Sequence, residues 1–274
     1  MATKELVPQL DVILAAKRQY LSERRATTPI EAVRALASMQ KRPQPILSSI
    51  PHQAPILIIG QVKYHAPERR IQTSSYDPVS LAMRHIHAGA DAIALYTDET
   101  LYQGGLDDLV LVSRAINSPV ISQDFILDEY QIVESRAAGA SGLVLYAELL
   151  PQATLRALVS ATQRNRMTAI VEVNNHEELD YALSLSPYVI GLSRHDLRTD
   201  EIRPAPLEEM RARIPSSIRV MITDALHTLD DVQMAANLHV DAVVLAEDLL
   251  QSESLMRQAE PLLRRDGTIF EGDL

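Results

Sequence analysis

The chain has no cysteine and no excess of positive charge, and each absence excludes a class of protein. Without thiols it forms no disulfide and no zinc site built on cysteine. Its 36 acidic residues outnumber its 26 basic ones, for a formal net charge of −10. An acidic chain repels phosphate backbones and anionic headgroups, so we expect neither nucleic acid nor a membrane as partner.

Long apolar runs are lacking too. No stretch approaches the roughly 18 apolar residues of a membrane helix, and the start, Met-Ala-Thr-Lys-Glu-Leu, has no apolar signal core. We therefore expect a soluble, cytoplasmic protein. The length of 274 residues suits one large α/β domain or two small ones, and 46% hydrophobic residues are ample for a core.

Short apolar runs recur along the chain, and helical patterns separate them. Such buried strands, alternating with helices, predict a parallel sheet that is covered on both faces. Eight units fit a (β/α)8 barrel, with an open doubly wound sheet as the alternative. No glycine-rich nucleotide motif follows the first run, which disfavours a nucleotide-binding fold. The runs are 56–62, 92–96, 120–122, 142–145, 169–173, 188–192, 219–222 and 242–245.

The segment before the first run is predicted to be helical. Apolar residues recur at helical spacing over 5–24, and a second helix is predicted near 29–40, with Pro29 in its first turn. Residues 1–50 are therefore assigned to a helical extension and linker, and 51–274 to the barrel, within a single domain overall. We interpret the extension as a packing and lid element. The linker is marked by Pro43, Pro45, Pro51 and Pro55.

Polar residues at the carboxyl ends of barrel strands are the candidates for a site, because ligands bind at that face. We expect the loops after Tyr96 and Ile121 in particular to contribute. Acidic loop residues such as Asp98, Glu99 and Asp124 could hold a metal, but they more often serve as caps and anchors. The candidates are Gln61, Lys63, Asp98, Glu99, Gln123, Asp124, Glu172, Asn174, 193–196, Thr223, Asp224, Glu247 and Asp248.

Two stretches carry a resemblance to a known family. The first contains Thr97-Asp98-Glu99, Gly104 and Asp108-Leu109, and the second runs from Asp124 to Ala140. They resemble the T-D-E-x-x-F-x-G-[GS]-x-x-D-L and D-F-I-x-D-x-Y-Q-I-x-E-[AS]-R-x-x-G-A segments of indole-3-glycerol phosphate synthase. The resemblance spans about residues 10–250. It implies a barrel, a helical extension, no cofactor, and the decarboxylating ring closure of carboxyphenylamino-deoxyribulose phosphate in tryptophan biosynthesis.

The resemblance also implies catalytic roles at strand ends. It places Lys63 against the substrate carboxylate and keeps Glu172 as an acid or base, and we expect these two to face each other as an ion pair. Gln61 stands where the family has a glutamate. Gln123 stands where the family has its acid lysine, and a carboxamide has no labile proton for that work.

The implied substrate-binding residues depart further. Ser193 replaces an asparagine and His195 an arginine, while Tyr102 stands at the phenylalanine of the first motif. Asp224 and Asp248 replace the two serines of the phosphate cup, and alanines replace its glycines. A carboxylate about 4 Å from a phosphate repels it by roughly 4 kcal/mol at an effective dielectric near 20. Alternatively, these aspartates cap the following helices at Thr228 or Leu249.

Three functions follow as expectations. The first is a synthase-like lyase whose activity on the phosphorylated substrate is weak or lost. The second is an enzyme acting on an unphosphorylated, cationic ligand, motivated by Asp224, Glu247 and Asp248. The third is a non-catalytic binding or assembly protein derived from the synthase. We expect a small-molecule ligand at the barrel mouth and no metal. We expect a monomer or a homodimer, to which a further protein could bind.

Overall fold

The computed structural model describes residues 10–47, 54–66, 71–72, 76–197, 201–202 and 206–264. Eight parallel strands close into a barrel, because each pairs with its neighbour in the chain and the first also pairs with the last. The predicted (β/α)8 barrel is confirmed. The strands are β1 Leu57–Val62, β2 Ala92–Tyr96, β3 Val120–Gln123, β4 Gly142–Tyr146, β5 Thr168–Val173, β6 Val189–Leu192, β7 Arg219–Leu226 and β8 Ala242–Leu245.

Helices surround the barrel. In the described part of the chain they are α1 Leu10–Thr27, α2 Ile30–Met39, α3 Pro78–His87, α4 Leu106–Ala115, α5 Glu129–Ala137, α6 Gln152–Arg164, α7 His176–Ser184, α8 Leu207–Arg213, α9 Leu229–Asn237, α10 Glu247–Leu250 and α11 Glu253–Arg264. Two-residue hairpins pair His65–Ala66 with Ile71–Gln72, and His195–Asp196 with Glu201–Ile202. None of the described helices is long and apolar enough to cross a bilayer.

Four strands extend beyond the predicted apolar runs. Strand β4 includes Tyr146 and β5 begins at Thr168, each one residue beyond the prediction. Strand β3 includes Gln123, and β7 continues to Leu226. The register of β7 against β8 shifts between Ile222 and Ala225, which marks a bulge. Thr223 and Asp224 lie in this bulge at the carboxyl end of the strand. Bulges re-aim side chains, so this one contributes to how Asp224 is presented.

The linker closes the bottom of the barrel. Ile46 and Leu47 are each only 2% exposed and pack with Ile59, Ile121 and Val244 inside the barrel. The prolines correctly predicted an irregular segment. They gave no sign that its two apolar residues fill the barrel interior. Pro51 lies outside the described residues.

The helical extension packs on the barrel through α5. The hydroxyl of Tyr130 donates to the carbonyl of Thr28 (2.9 Å), and Arg24 pairs with the buried Glu134 (2.8 Å). Asp128 caps α5 by accepting the Tyr130 N–H. The second motif of the family resemblance is therefore largely a docking surface for α1 and α2. The predicted helical positions before Leu10 lie outside the described residues.

Candidate functional site

One side of the barrel mouth holds a buried ion cluster. The Lys17 ammonium, from α1, lies 2.9 Å from Asp98 Oδ1 and 2.7 Å from Asp124 Oδ1. Burial alone would lower the pKa of Lys17, but Asp124 and Asp98 outweigh it and raise that pKa. Burial raises the pKa of Asp124 to about 6, against the lowering effect of Lys17. The lysine is thus held as a cation between two carboxyl groups.

Helix α1 covers the loops after β2 and β3. Tyr102 and Phe125 are buried against Leu10, Ile13 and Leu14 of α1. Asp98 anchors the first loop by accepting the N–H groups of Leu101 and Tyr102. These loops, predicted to form a site, are therefore packed beneath the extension. Asp98 and Asp124 are loop anchors and ion-pair partners, in agreement with the structural interpretation of their acidic side chains.

Gly104 of the first motif has a packing role. A Cβ at this position would collide with the backbone carbonyl of Tyr96, so the loop returns over β2 at a distance that only glycine allows. The motif thus preserves a loop conformation rather than a chemical group.

The ends of β1 and β3 bring three predicted residues to the mouth. Gln61 is buried and its Nε2 donates to the Tyr96 hydroxyl at 3.4 Å. Lys63 Nζ lies 5.6 Å from the centroid of the Tyr96 ring, a cation–π arrangement. Gln123 is 2% exposed, and its carboxamide oxygen has no hydrogen-bond partner among the described residues. A ligand that donates a hydrogen bond would satisfy this oxygen.

The opposite side of the mouth is acidic. Burial and the charge of Asp224 raise the pKa of Glu172, on β5, to about 8. Glu178 and Glu148 add to this effect, whereas a hydrogen bond from Thr223 opposes it. Glu172 is therefore mostly a neutral carboxylic acid near pH 7, able to give up a proton.

Asp224 is held from two directions. Its Oδ1 accepts from the Ser193 hydroxyl at 2.7 Å, and its Oδ2 accepts from the Arg194 backbone N–H at 2.6 Å. The Arg194 side chain adds an ion pair, with Nε 3.6 Å from Oδ2. Ser193 also accepts from the His195 N–H at 3.0 Å. Ser193 is thus a support for Asp224 and for the backbone of the β6 loop.

The expected ion pair between Lys63 and Glu172 is not among the contacts of the described residues. The charges that act most on Glu172 are the carboxylates Asp224, Glu178 and Glu148. An adjacent ammonium would lower the pKa of a carboxyl group, the opposite of the observed direction.

Of the two aspartates expected to cap helices, Asp248 does so: its Oδ1 accepts the N–H of Leu249 in the first turn of α10 at 3.0 Å. Thr228 caps α9 itself, in a capping box with Asp231, so Asp224 is not needed there. Asp248 also lies 3.0 Å from Nδ1 of His227. Glu247 pairs with Arg84 of α3 (3.1 Å). The loops after β7 and β8 therefore present a histidine–carboxylate pair.

One important residue was missed as a functional candidate. Lys17 occurs at helical spacing with Leu10, Ile13 and Leu14, and a lysine within this apolar stripe was the sequence feature that could have identified it. Arg194 was among the candidates in 193–196, but nothing in the sequence around it indicated a contact with Asp224.

Comparison with known proteins agrees with this architecture. Residues 10–262 match the model of the family described as "Indole-3-glycerol phosphate synthase". A protein of that name from Mycobacteroides abscessus is 33% identical over 243 residues, covering 89% of both chains. One from Roseiflexus is 30% identical over 261 residues, covering 92% of this chain and 97% of its own.

Similarity to a solved structure supports the fold but not the function. Thiamine phosphate pyrophosphorylase from Pyrococcus furiosus superposes with a TM-score of 0.52 at 15% identity, covering 78% of this chain and 96% of its own. The family model and the relatives span nearly the whole described barrel together with α1 and α2. The chain therefore belongs to the indole-3-glycerol phosphate synthase family.

Proposed function

We propose that this barrel keeps part of the family's catalytic apparatus but turns over carboxyphenylamino-deoxyribulose phosphate very slowly or not at all. The observation that carries the proposal is the position of Asp224. Its carboxylate lies in the bulge of β7, where the family resemblance implies a serine that binds phosphate, and it raises the pKa of Glu172.

The phosphate group would meet unfavourable charge. A carboxylate about 4 Å from a phosphate costs roughly 4 kcal/mol, about a thousandfold in affinity. Arg194 offsets part of this cost, but its guanidinium is also shared with Asp231 at 3.5 Å. Asp248 adds a second carboxylate next to His227. The balance at this end of the mouth disfavours a dianion.

Proton transfer is the second weakness. Gln123 occupies the place of the family's acid lysine and has no labile proton, which costs about 10²–10⁴-fold. Glu172 retains one exchangeable proton near neutral pH, and Lys63 retains its cation. The remaining groups support binding of a carboxylate and one proton transfer, and they lack a second acid.

The same groups favour an alternative ligand. A molecule with an amine and no phosphate would find Asp224 and Asp248 at one end of the mouth and Lys63 for a carboxylate. The amine of this molecule would also donate a hydrogen bond to the carboxamide oxygen of Gln123. We keep this second function because the acidic side of the mouth fits a cation better than it fits a phosphate.

The deciding experiment measures indole-3-glycerol phosphate formation by the unmodified chain and by Gln123→Lys, Asp224→Ser and the double variant. We expect no turnover above background for the unmodified chain and a gain in the double variant. Gln163→Lys adds a lysine on the exposed face of α6 and serves as the matched control. Efficient turnover by the unmodified chain would refute the proposal. If the double variant gains no activity, Gln123 and Asp224 are not the cause of the low turnover.

A further inference from the structure

A positively charged cleft lies on the outside of the barrel, away from the mouth. The cleft has a volume of about 590 Å³ and is formed by α2, the segment after it, α5 and the end of α6. Its walls contain five arginines and a single acidic residue, Glu129, although the chain as a whole carries a net charge of −10. The arginines are Arg34, Arg42, Arg136, Arg164 and Arg166. We name it the arginine cleft.

Only part of this positive charge is matched by acidic side chains. Arg34 and Arg164 share Glu129, each with a guanidinium nitrogen 3.4 Å from one of its oxygens. Arg42 and Arg166 are exposed, and no carboxylate pairs with either in the described part of the chain. Two arginines thus share one acid while others face the cleft without one.

Arg136 forms the buried wall of the cleft. It is 7% exposed, and its Nη2 donates to the backbone carbonyls of Gln40 (3.2 Å) and Lys41 (2.6 Å). Burial, followed by the like charge of Arg166, lowers the pKa of Arg136. Two guanidinium groups are therefore close enough to repel each other, and an anion between them would relieve that repulsion.

The helix ends nearby do not account for all of this charge. Helices α2 and α6 end at the cleft, and each end contributes about half a negative charge. Helix α5 lies along the cleft from Glu129 to Arg136, so the partial charges of its two ends offset each other. Together with Glu129, the ends of α2 and α6 offset about two of the five positive charges. The remainder, about three positive charges, matches a multivalent anion rather than a single carboxylate.

The backbone at Arg166 supports the same view. This residue follows the end of α6 with φ +60°, a left-handed conformation that usually favours glycine or asparagine. An arginine in this conformation strains the backbone. Its positive charge also repels that of Arg136.

We propose that the arginine cleft binds a small molecule carrying two or more phosphate groups. Guanidinium groups form paired hydrogen bonds with phosphate oxygens, and the cleft has the volume of a small-molecule site. The anion would join α2 to α5 and α6, so it would stabilise the packing of the extension on the barrel. This site is independent of the mouth and of the proposed function.

The test is thermal unfolding of the full chain with inorganic pyrophosphate, against sodium chloride at equal ionic strength. We expect pyrophosphate to stabilise the unmodified chain. Arg42→Gln and Arg166→Asn should each weaken its binding by roughly tenfold, the lower limit for a charge-assisted hydrogen bond. Arg114→Gln, a matched exposed arginine on α4, should bind like the unmodified chain.

Arg166→Asn separates binding from structure. Asparagine suits the left-handed backbone, so without pyrophosphate this variant should unfold at the same temperature as the unmodified chain or higher. The proposal is overturned if pyrophosphate has no effect or shifts every variant equally. It is also overturned if Lys63→Gln, at the mouth, removes the effect. An equal effect of citrate would refute the assignment to phosphate.

Discussion

The two sides of the barrel mouth each contain a pair of carboxyl groups, but only one pair shares a cation. Asp98 and Asp124 both contact the ammonium of Lys17, at 2.9 and 2.7 Å. Across the mouth, Arg194 pairs with Asp224, while burial and then the charge of Asp224 raise the pKa of Glu172.

This difference separates acids that hold α1 in place from acids that are not bound to a buried lysine. The carboxyl groups of Asp98 and Asp124 share a buried lysine and anchor α1 to the barrel. A carboxyl group that lacks such a cation keeps a proton near neutral pH and is available for chemistry. The two sequence motifs contain the first pair, Asp98 and Asp124. The raised pKa of Glu172 draws attention to the second pair, Glu172 and Asp224.

The largest expected effect comes from removing the shared cation. Lys17→Met leaves Asp98 and Asp124 buried without their ammonium, which typically costs about 3–5 kcal/mol. The free energy of unfolding, from urea titration, measures this loss. Lys41→Met, at an exposed lysine in the linker, should change it by less than about 0.5 kcal/mol. Equal losses in the two variants would mean that the ion cluster contributes no stability.

The next effect concerns pH and Glu172. Its pKa is about 8 in the folded chain, against an ordinary value of 4.5, so the folded state binds more protons between these values. The stability of the unmodified chain should therefore fall as pH rises through this window. Relative to it, the free energy of unfolding of Glu172→Gln should rise by on the order of 5 kcal/mol across the window, because each unit of pKa shift corresponds to about 1.4 kcal/mol.

Measuring unfolding of both chains in parallel cancels contributions that they share, such as that of Asp124. A difference that does not change with pH would show that Glu172 titrates normally. Asp224→Ser removes a neighbouring negative charge and should move the fall in stability to lower pH.

A smaller effect is expected at Arg194. Arg194→Met removes the guanidinium from Asp224, but the Ser193 hydroxyl and the backbone N–H of residue 194 still donate to it. The expected cost is about 1 kcal/mol, well below that at Lys17. A double-mutant cycle with Asp224→Ser isolates the interaction. If the interaction energy between Arg194 and Asp224 equals that between Lys17 and Asp124, the two sides of the mouth do not differ in how strongly a cation holds their carboxylates.

The barrel strands were predictable because each is buried on both faces and therefore reads as a continuous apolar run. Most of their boundaries were right to within one residue. The largest difference is at β7, where polar residues in the bulge continue the pairing to Leu226. The role of Ile46 and Leu47 was hidden, because prolines predict an irregular path and say nothing of where that path leads.

The site was predictable to the level of strand ends. Parallel strands bring their carboxyl ends to one face of the barrel. The order of the strands in the sequence was therefore enough to place five residues at that face, namely Gln61, Lys63, Gln123, Glu172 and Asp224. Their partners were not, because local spacing cannot show that Lys17 meets Asp124 from a distant part of the chain. Nor could it show which side of the mouth α1 covers.

The arrangement of α1 has a consequence for how the protein folds. Lys17 leaves the ribosome early, yet its carboxylate partners follow only after β2 and β3 have been made. The barrel itself cannot close until β8 arrives to pair with β1. Contacts of such long sequence separation slow folding. The apolar stripe of the first helix therefore stays uncovered until those strands have been made, and transiently exposed apolar surface of this kind favours aggregation.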